Sequence, residues 1–287
     1  MHSVRQILFV PPAPIVWAEA TGAFKECGVH VDTTQTLSSD HIGQGLADGK
    51  WDVGIGVMDN VIAWNAERSA GLQIAAQLER SMIMRFCCVG AYSTLADAAA
   101  HTIAVDSTTN GFVLVLYRAL ARAGIDWRNC RFDPVGGVKH RFEAMIAGTA
   151  AATILIPPFD EMARAKGFKV LWDGKDIAPD YPGVVVAARA AWLREQPESA
   201  ARYLRALRNA NEWAVRPENA EAAKAALAAA RYGAPAAERL VREAVPGLHP
   251  SLAGWNETVA LRRECGLLPQ PAPAADDVIN SALLERA

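Results

Sequence analysis

The feature that most constrains this chain is an alternation of strand-like and helix-like segments, joined by short links, that begins at the N-terminus. RQILFV (5–10) is an apolar run ending at Pro11, as a buried strand does. Ile15 to Cys27 carry apolar positions at helical spacing, and Gly28 is a natural stop. VHVDTT (29–34) alternates as a second strand. Ser39 or Asp40 can cap a helix through Ile42 and Leu46 that ends near Gly49. WDVGIGV (51–57) is a third strand, followed by the polar pair Asp59-Asn60. Parallel neighbours need a crossover, so this order predicts a parallel sheet with helices on its faces.

A second unit follows the apolar strand SMIMRFCCVGAY (81–92). HTIAVD reads as a strand, GFVLVLYRALARAG as a helix and CRFDPVG as a strand. KHRFEAMIAG is a short helix, AATILIPP a strand and FDEMARAKG a helix. PGVVVAAR (182–189) is a strand able to return the chain to the first unit. From Ala190 the character changes to Ala/Arg/Glu-rich helices, with a proline-rich surface strap at LLPQPAPAA. The order predicts two lobes. Residues 1–88 and 183–287 form the first, and residues 89–182 are inserted as the second. Two crossings make a hinge, and the cleft between the lobes is the expected site.

Bulk properties narrow the partners. With 51% apolar residues in 287, a well-buried core is assured. A net charge of -2 and the absence of any Lys/Arg run argue against nucleic acid and anionic membrane. No apolar stretch approaches the roughly 18 residues of a membrane span. The N-terminus shows no signal-peptide pattern and enters a strand almost at once. The expected compartment is therefore periplasmic if a leader precedes this numbering, and cytoplasmic if the sequence is complete as written. The cysteines (Cys27, Cys87, Cys88, Cys130 and Cys265) match no zinc or redox spacing. They are expected to be reduced and to pack as small hydrophobes. Adjacent Cys87 and Cys88 are expected to face opposite sides of a strand.

In α/β sheets, ligands gather where strand ends meet helix N-termini. DSTTNGF (106–112) places Ser107, Thr108, Thr109, Asn110 and Gly111 just before a helix. Orphan amides there suit an anion or carbonyl, and the same residues equally suit helix capping. Asp59 and Asn60 can hydrogen-bond a ligand, or Asp59 can cap the next helix. His140 and Arg141 follow Gly136-Gly137. Arg141 can hold a carboxylate in a fork, or the pair is solvated surface. Trp17, Trp64, Phe112 and Phe159 can stack on a ligand ring or fill the core. No GxSxG, HExxH or P-loop is present, and no catalytic residue, metal site or cofactor is expected.

These segments resemble the nitrate/sulfonate/taurine and thiamine-pyrimidine type of ABC-transporter substrate-binding protein. AEATGAFKECGVHVD (18–32) is similar to its helix-ending G-x-F-K-x-x-G signature, and LADGKWDVGIGVMDNVIAW (46–64) to its strand ending in D-N. TIAVDSTTNGFVLVLYRALARAGI (102–125) is similar to its strand, loop and helix. PVGG (134–137) with RFEAMIAGTAAATILIPPF (141–159) is similar to its R-x-x-A-(L/M)-x-x-G…P-P stretch. The resemblance covers most of residues 5–190 and fades in the helical tail. It implies a periplasmic-binding-protein type II-like α/β fold, with two lobes of mainly parallel sheet flanked by helices and a helical C-terminal part. By position it implies the cleft residues Pro12, Ser39, Asp59, Asn60, Thr108, Thr109, Asn110, Gly137 and Pro158. With Trp17, Gly111, Arg141 and Phe159 from the residues themselves, these form the candidate ligand-binding set. Ala151-Ala152 departs from the family, where many members keep an aspartate.

The expected function is reversible capture of a small polar or anionic organic molecule (a sulfonate, carboxylate or pyrimidine-like compound) for uptake through an ABC permease. The alternative is a cytoplasmic enzyme or sensor on the same fold. Pyrimidine synthases of this fold carry a CCCFC motif that is absent here, and FCCV lies earlier. Desulfinases of this fold carry a cysteine in the first-strand loop, which here is PPAP.

Overall fold

The computed structural model describes residues 1–285. Among the described residues, ten strands form two mixed five-stranded sheets. They are β1 (His2–Leu8), β2 (Val29–Gln35), β3 (Val53–Gly56), β4 (Leu72–Gln77), β5 (Arg85–Cys88), β6 (Ile103–Val105), β7 (Phe132–Pro134), β8 (Ala152–Leu155), β9 (Lys169–Asp173) and β10 (Val185–Arg189). The sheets run β2-β1-β3-β10-β4 and β7-β6-β8-β5-β9. Each repeats one plan. Three strands pair in parallel, and a reversed fourth strand brings the chain across: β10 is antiparallel to β3 and β4, and β5 is antiparallel to β8 and β9.

The first crossing lies between β4 and β5, earlier than the boundary expected at residue 88. An apolar run such as SMIMRFCCVGAY suits either sheet equally; its partners, Ala152–Leu155 and Lys169–Asp173, decide the matter. Cys87 and Cys88 pack into different apolar clusters, on opposite faces of β5. The pattern did not reveal β4 or β9. Both are edge strands, and each pairs only with a strand distant in sequence or reversed in direction.

The helix expected over Ile15–Cys27 is broken. Gly22, at φ 75, ends Ala13–Thr21 and opens the short turn Ala23–Glu26. The first lobe's core buries this face beneath the tail helix Pro197–Ala214, which contributes Tyr203, Leu204 and Leu207. Another tail helix, Leu252–Glu264, does not belong to one lobe alone. It packs on Met58–Arg68 of the first and on Val113–Arg122 of the second, and its Leu261 and the following Cys265 join the second lobe's core.

Candidate functional site

The strands end facing one another, and an apolar cavity lies between their ends. Its wall takes Phe9 from beyond β1, Val57 and Asn60 from beyond β3, and Met82 from the crossing. Asp106, Gly111 and Phe112 come from beyond β6, Gly137 and Arg141 from beyond β7, and Ile156 from beyond β8. Every one of these stands at the strand edge where ligands gather in such sheets. The free volume is about 80 Å³, several times the roughly 10–15 Å³ that one water needs, and has room for a small molecule.

The lobes touch on several sides of this cavity. The Gly137 amide donates to the Leu37 carbonyl at 2.7 Å. A Cβ at Gly136 would stand 2.9 Å from that same oxygen, and one at Gly137 would stand 3.0 Å from it and 3.1 Å from the Phe9 ring, so this closure needs the glycine pair. The Gly111 amide donates to Asp59 Oδ2 at 2.6 Å. Gly111 sits at φ 74, the left-handed conformation that glycine adopts without a Cβ clash. Elsewhere between the lobes, Glu161 Oε1 accepts from the Ala236 amide at 3.1 Å, Arg239 meets Asp173 at 3.1 Å, and Lys175 meets Glu243 at 2.6 Å.

At the polar end stands Arg141, fully enclosed, on the first turn of Val138–Ile146. Its Nη1 donates to the Ile154 carbonyl at 2.7 Å, and its Nε has no partner. No carboxylate lies within ion-pair distance among the described residues. The Phe112 ring lies 5.6 Å from its guanidinium carbon. Burial lowers the Arg141 pKa to about 10, against the pull of Asp106, so it stays cationic at neutral pH. Burial likewise raises Asp106, opposed by Arg141 and by the hydroxyl and amide of Ser39 from the other lobe. The buried oxygens Asp106 Oδ1, Asn60 Oδ1 and Asn110 Oδ1 also have no partner.

The candidate residues divide by location. Asn60, Gly111, Gly137 and Arg141 line the cavity, and Asn110 lines a small pocket that shares Asp106, Phe112 and Arg141 with it. Ser39 reaches the site through Asp106. Asp59 is buried beside it, paired with Arg262 at 2.9 Å. Pro12 lines a second, smaller cavity that shares Val10, Met82, Ile156 and Val184 with the first. That cavity holds buried Glu79, which accepts from the Ala13 amide and is raised to about 7 by burial.

Trp17 is away from the cavity: it fills the first lobe's core, with Nε1 donating to the Ala223 carbonyl at 3.1 Å. Tail helices cover it, and no local pattern shows where those helices pack. Thr108 and Thr109 are exposed; their carbonyls are used, by Tyr117 and by Arg262. Pro158 precedes the helix Phe159–Ala165, and Phe159 packs on Phe142 with ring centroids 5.6 Å apart. Trp64 is core as well. Sequence reasoning missed Asp106, although it ends a predicted strand at the ligand edge; the same rule that selected STTNG reaches it. It also missed Phe9, Met82 and Val184, whose apolar side chains carry no local signal.

The sequence model of the NMT1/THI5-like family matches residues 12–220. No curated protein matches. Among solved structures, the periplasmic nitrate-binding protein NrtA from Synechocystis PCC 6803 is similar, with TM-score 0.82 at 15% identity over 100% of this chain and 88% of its own. The alkanesulfonate-binding protein SsuA from Xanthomonas axonopodis pv. citri, bound to MOPS, gives 0.78 at 16% identity over 98% of this chain and 99% of its own. The desulfurization enzyme DSZB gives 0.72 at 16% identity over 100% and 98%. At these identities the likeness is one of fold, and the fold holds binders and an enzyme alike.

Proposed function

This chain belongs to the NMT1/THI5-like family, and we propose that it is a solute-binding protein that closes two lobes on a small polar or anionic organic molecule. One observation carries the reading: Arg141 is a buried cation with an unpartnered Nε in the wall of an interlobe cavity. A buried donor without a partner loses its hydration uncompensated, and a ligand oxygen accepting from it restores the balance. Phe9, Phe112 and Met82 supply apolar surface for the ligand's body. One structural neighbour is a ligand-binding component of an ABC-type import system from Staphylococcus aureus and another is the periplasmic nitrate-binding protein NrtA, which supports an ABC permease as partner and the periplasm as compartment. Among the described residues, no helix is long and apolar enough to cross a membrane.

The test is a thermal-shift screen against organic carboxylates, sulfonates, amides and heterocycles. Stabilisation grows as RT ln(1 + [L]/Kd). At least one class is expected to stabilise the wild type and to fail with Arg141→Met. Indifference of both proteins to every class ends the reading, and a hit recovered chemically altered after incubation points to the enzyme instead.

A further inference from the structure

We infer that the polar end of the cavity takes a neutral edge that both donates and accepts hydrogen bonds, such as a primary carboxamide, in preference to a simple oxyanion. The inference rests on the solute-binding reading and narrows its ligand. The unpartnered buried atoms at this end comprise one donor, Arg141 Nε, and three acceptors, Asp106 Oδ1, Asn60 Oδ1 and Asn110 Oδ1. All four residues line the cavity or the small pocket that shares its wall. Turning an asparagine amide exchanges its acceptor for donors. Burial raises Asp106, and Arg141 with the hydroxyl and amide of Ser39 opposes that rise; as a carboxylate its oxygens only accept.

A nitrate, sulfonate or carboxylate group brings acceptors alone. It satisfies Arg141 and leaves the aspartate oxygen unpaired. With Asp106 as a carboxylate, it also sets a second negative charge beside one that already faces Arg141. An amide carbonyl can accept from Arg141 while its N–H groups donate to Asp106 and an asparagine. Such complementary pairing gives large discrimination, because the wrong ligand strands buried polar groups. The apolar wall of Phe9, Met82, Phe112 and Val184 suits a flat hydrocarbon body on that edge.

The experiment titrates the full chain calorimetrically with benzamide, benzoate and benzenesulfonate. These share one ring and differ at the polar edge. Benzamide is expected to bind at least tenfold more tightly than either anion. Asp106→Asn, checked for an unchanged unfolding midpoint, is expected to improve benzoate binding at least tenfold. Tighter binding of an anion than of benzamide by the wild type overturns the inference and leaves the solute-binding reading standing. No measurable benzamide binding overturns it too, and the broader screen then judges the solute-binding reading separately. The wild-type ranking stands even if the variant does not fold.

Discussion

Two buried arginines, Arg262 and Arg141, occupy opposite situations. Arg262, on the tail helix Leu252–Glu264, has an acceptor at each guanidinium nitrogen. Asp59 Oδ1 lies at 2.9 Å and the Thr109 carbonyl at 3.4 Å from its Nη1, and Nε and Nη2 both donate to the Leu267 carbonyl. Arg141, equally buried, has a single carbonyl and an unpartnered Nε. Charge and burial do not distinguish them; completeness of hydrogen bonding does. Here Arg262 ties the scaffold, whereas Arg141 turns its open bond to a cavity that a guest can fill. Asp59 shows the same contrast with Asp106. The first is closed by Arg262 and the Gly111 amide, and the second keeps an open oxygen.

The comparison breaks most readily at Arg262. Arg262→Met strands the buried Asp59 carboxylate, and urea unfolding is expected to show a loss of about 3–5 kcal/mol. Asp59→Asn in the same chain should return part of it. A loss near zero would mean that the pair does not tie the tail helix to the two lobes.

Glu79 extends the contrast to a buried carboxylate that has an amide partner but, among the described residues, no ion-paired cation. Burial raises it from 4.5 to about 7, with nearby Glu243 adding to the rise. A raised carboxyl stabilises the fold while protonated. That contribution is whole below about 4.5 and is lost as pH rises through about 7. Glu79→Gln should match the wild type near pH 5 and exceed it by up to about 3 kcal/mol at pH 8. Parallel stability curves across that window would refute the assignment.

Arg141→Met is expected to cost less stability than Arg262→Met, because one hydrogen bond and the pull on Asp106 are lost rather than a hydrogen-bonded ion pair, while ligand affinity falls at least tenfold. A stability loss as large as that of Arg262→Met would erase the difference between the two sites. The smallest effect belongs to Thr109→Ala. Its hydroxyl is exposed and meets Ser107, and only its carbonyl reaches Arg262. Stability and affinity should both stay within about 0.5 kcal/mol. A tenfold loss of affinity would return the hydroxyl to the site.

Much of this arrangement was legible in the residues. Alternating periods and glycine stops located eight of the ten strands, and the ligand-edge rule led to Asn60, Gly111, Gly137 and Arg141. The same rule overreached at Thr108 and Thr109, because a loop's position does not say which way its side chains turn. Trp17 failed for a related reason: an aromatic beside the expected cleft is core once tail helices cover it.

By itself, the sequence determined the periods of its segments, the positions where glycine must turn the chain, and the strand edge at which a site can form. These follow from backbone sterics and from side-chain spacing within a few residues. Tertiary structure alone decided which sheet receives β5, that Leu252–Glu264 ties both lobes, and that Asp59 is satisfied while Arg141 is left open. Those outcomes depend on partners far apart in sequence, 70 positions between Arg85 and Leu155 of the paired strands and 203 between Asp59 and Arg262. No local pattern records whether a buried charge meets its counterpart there.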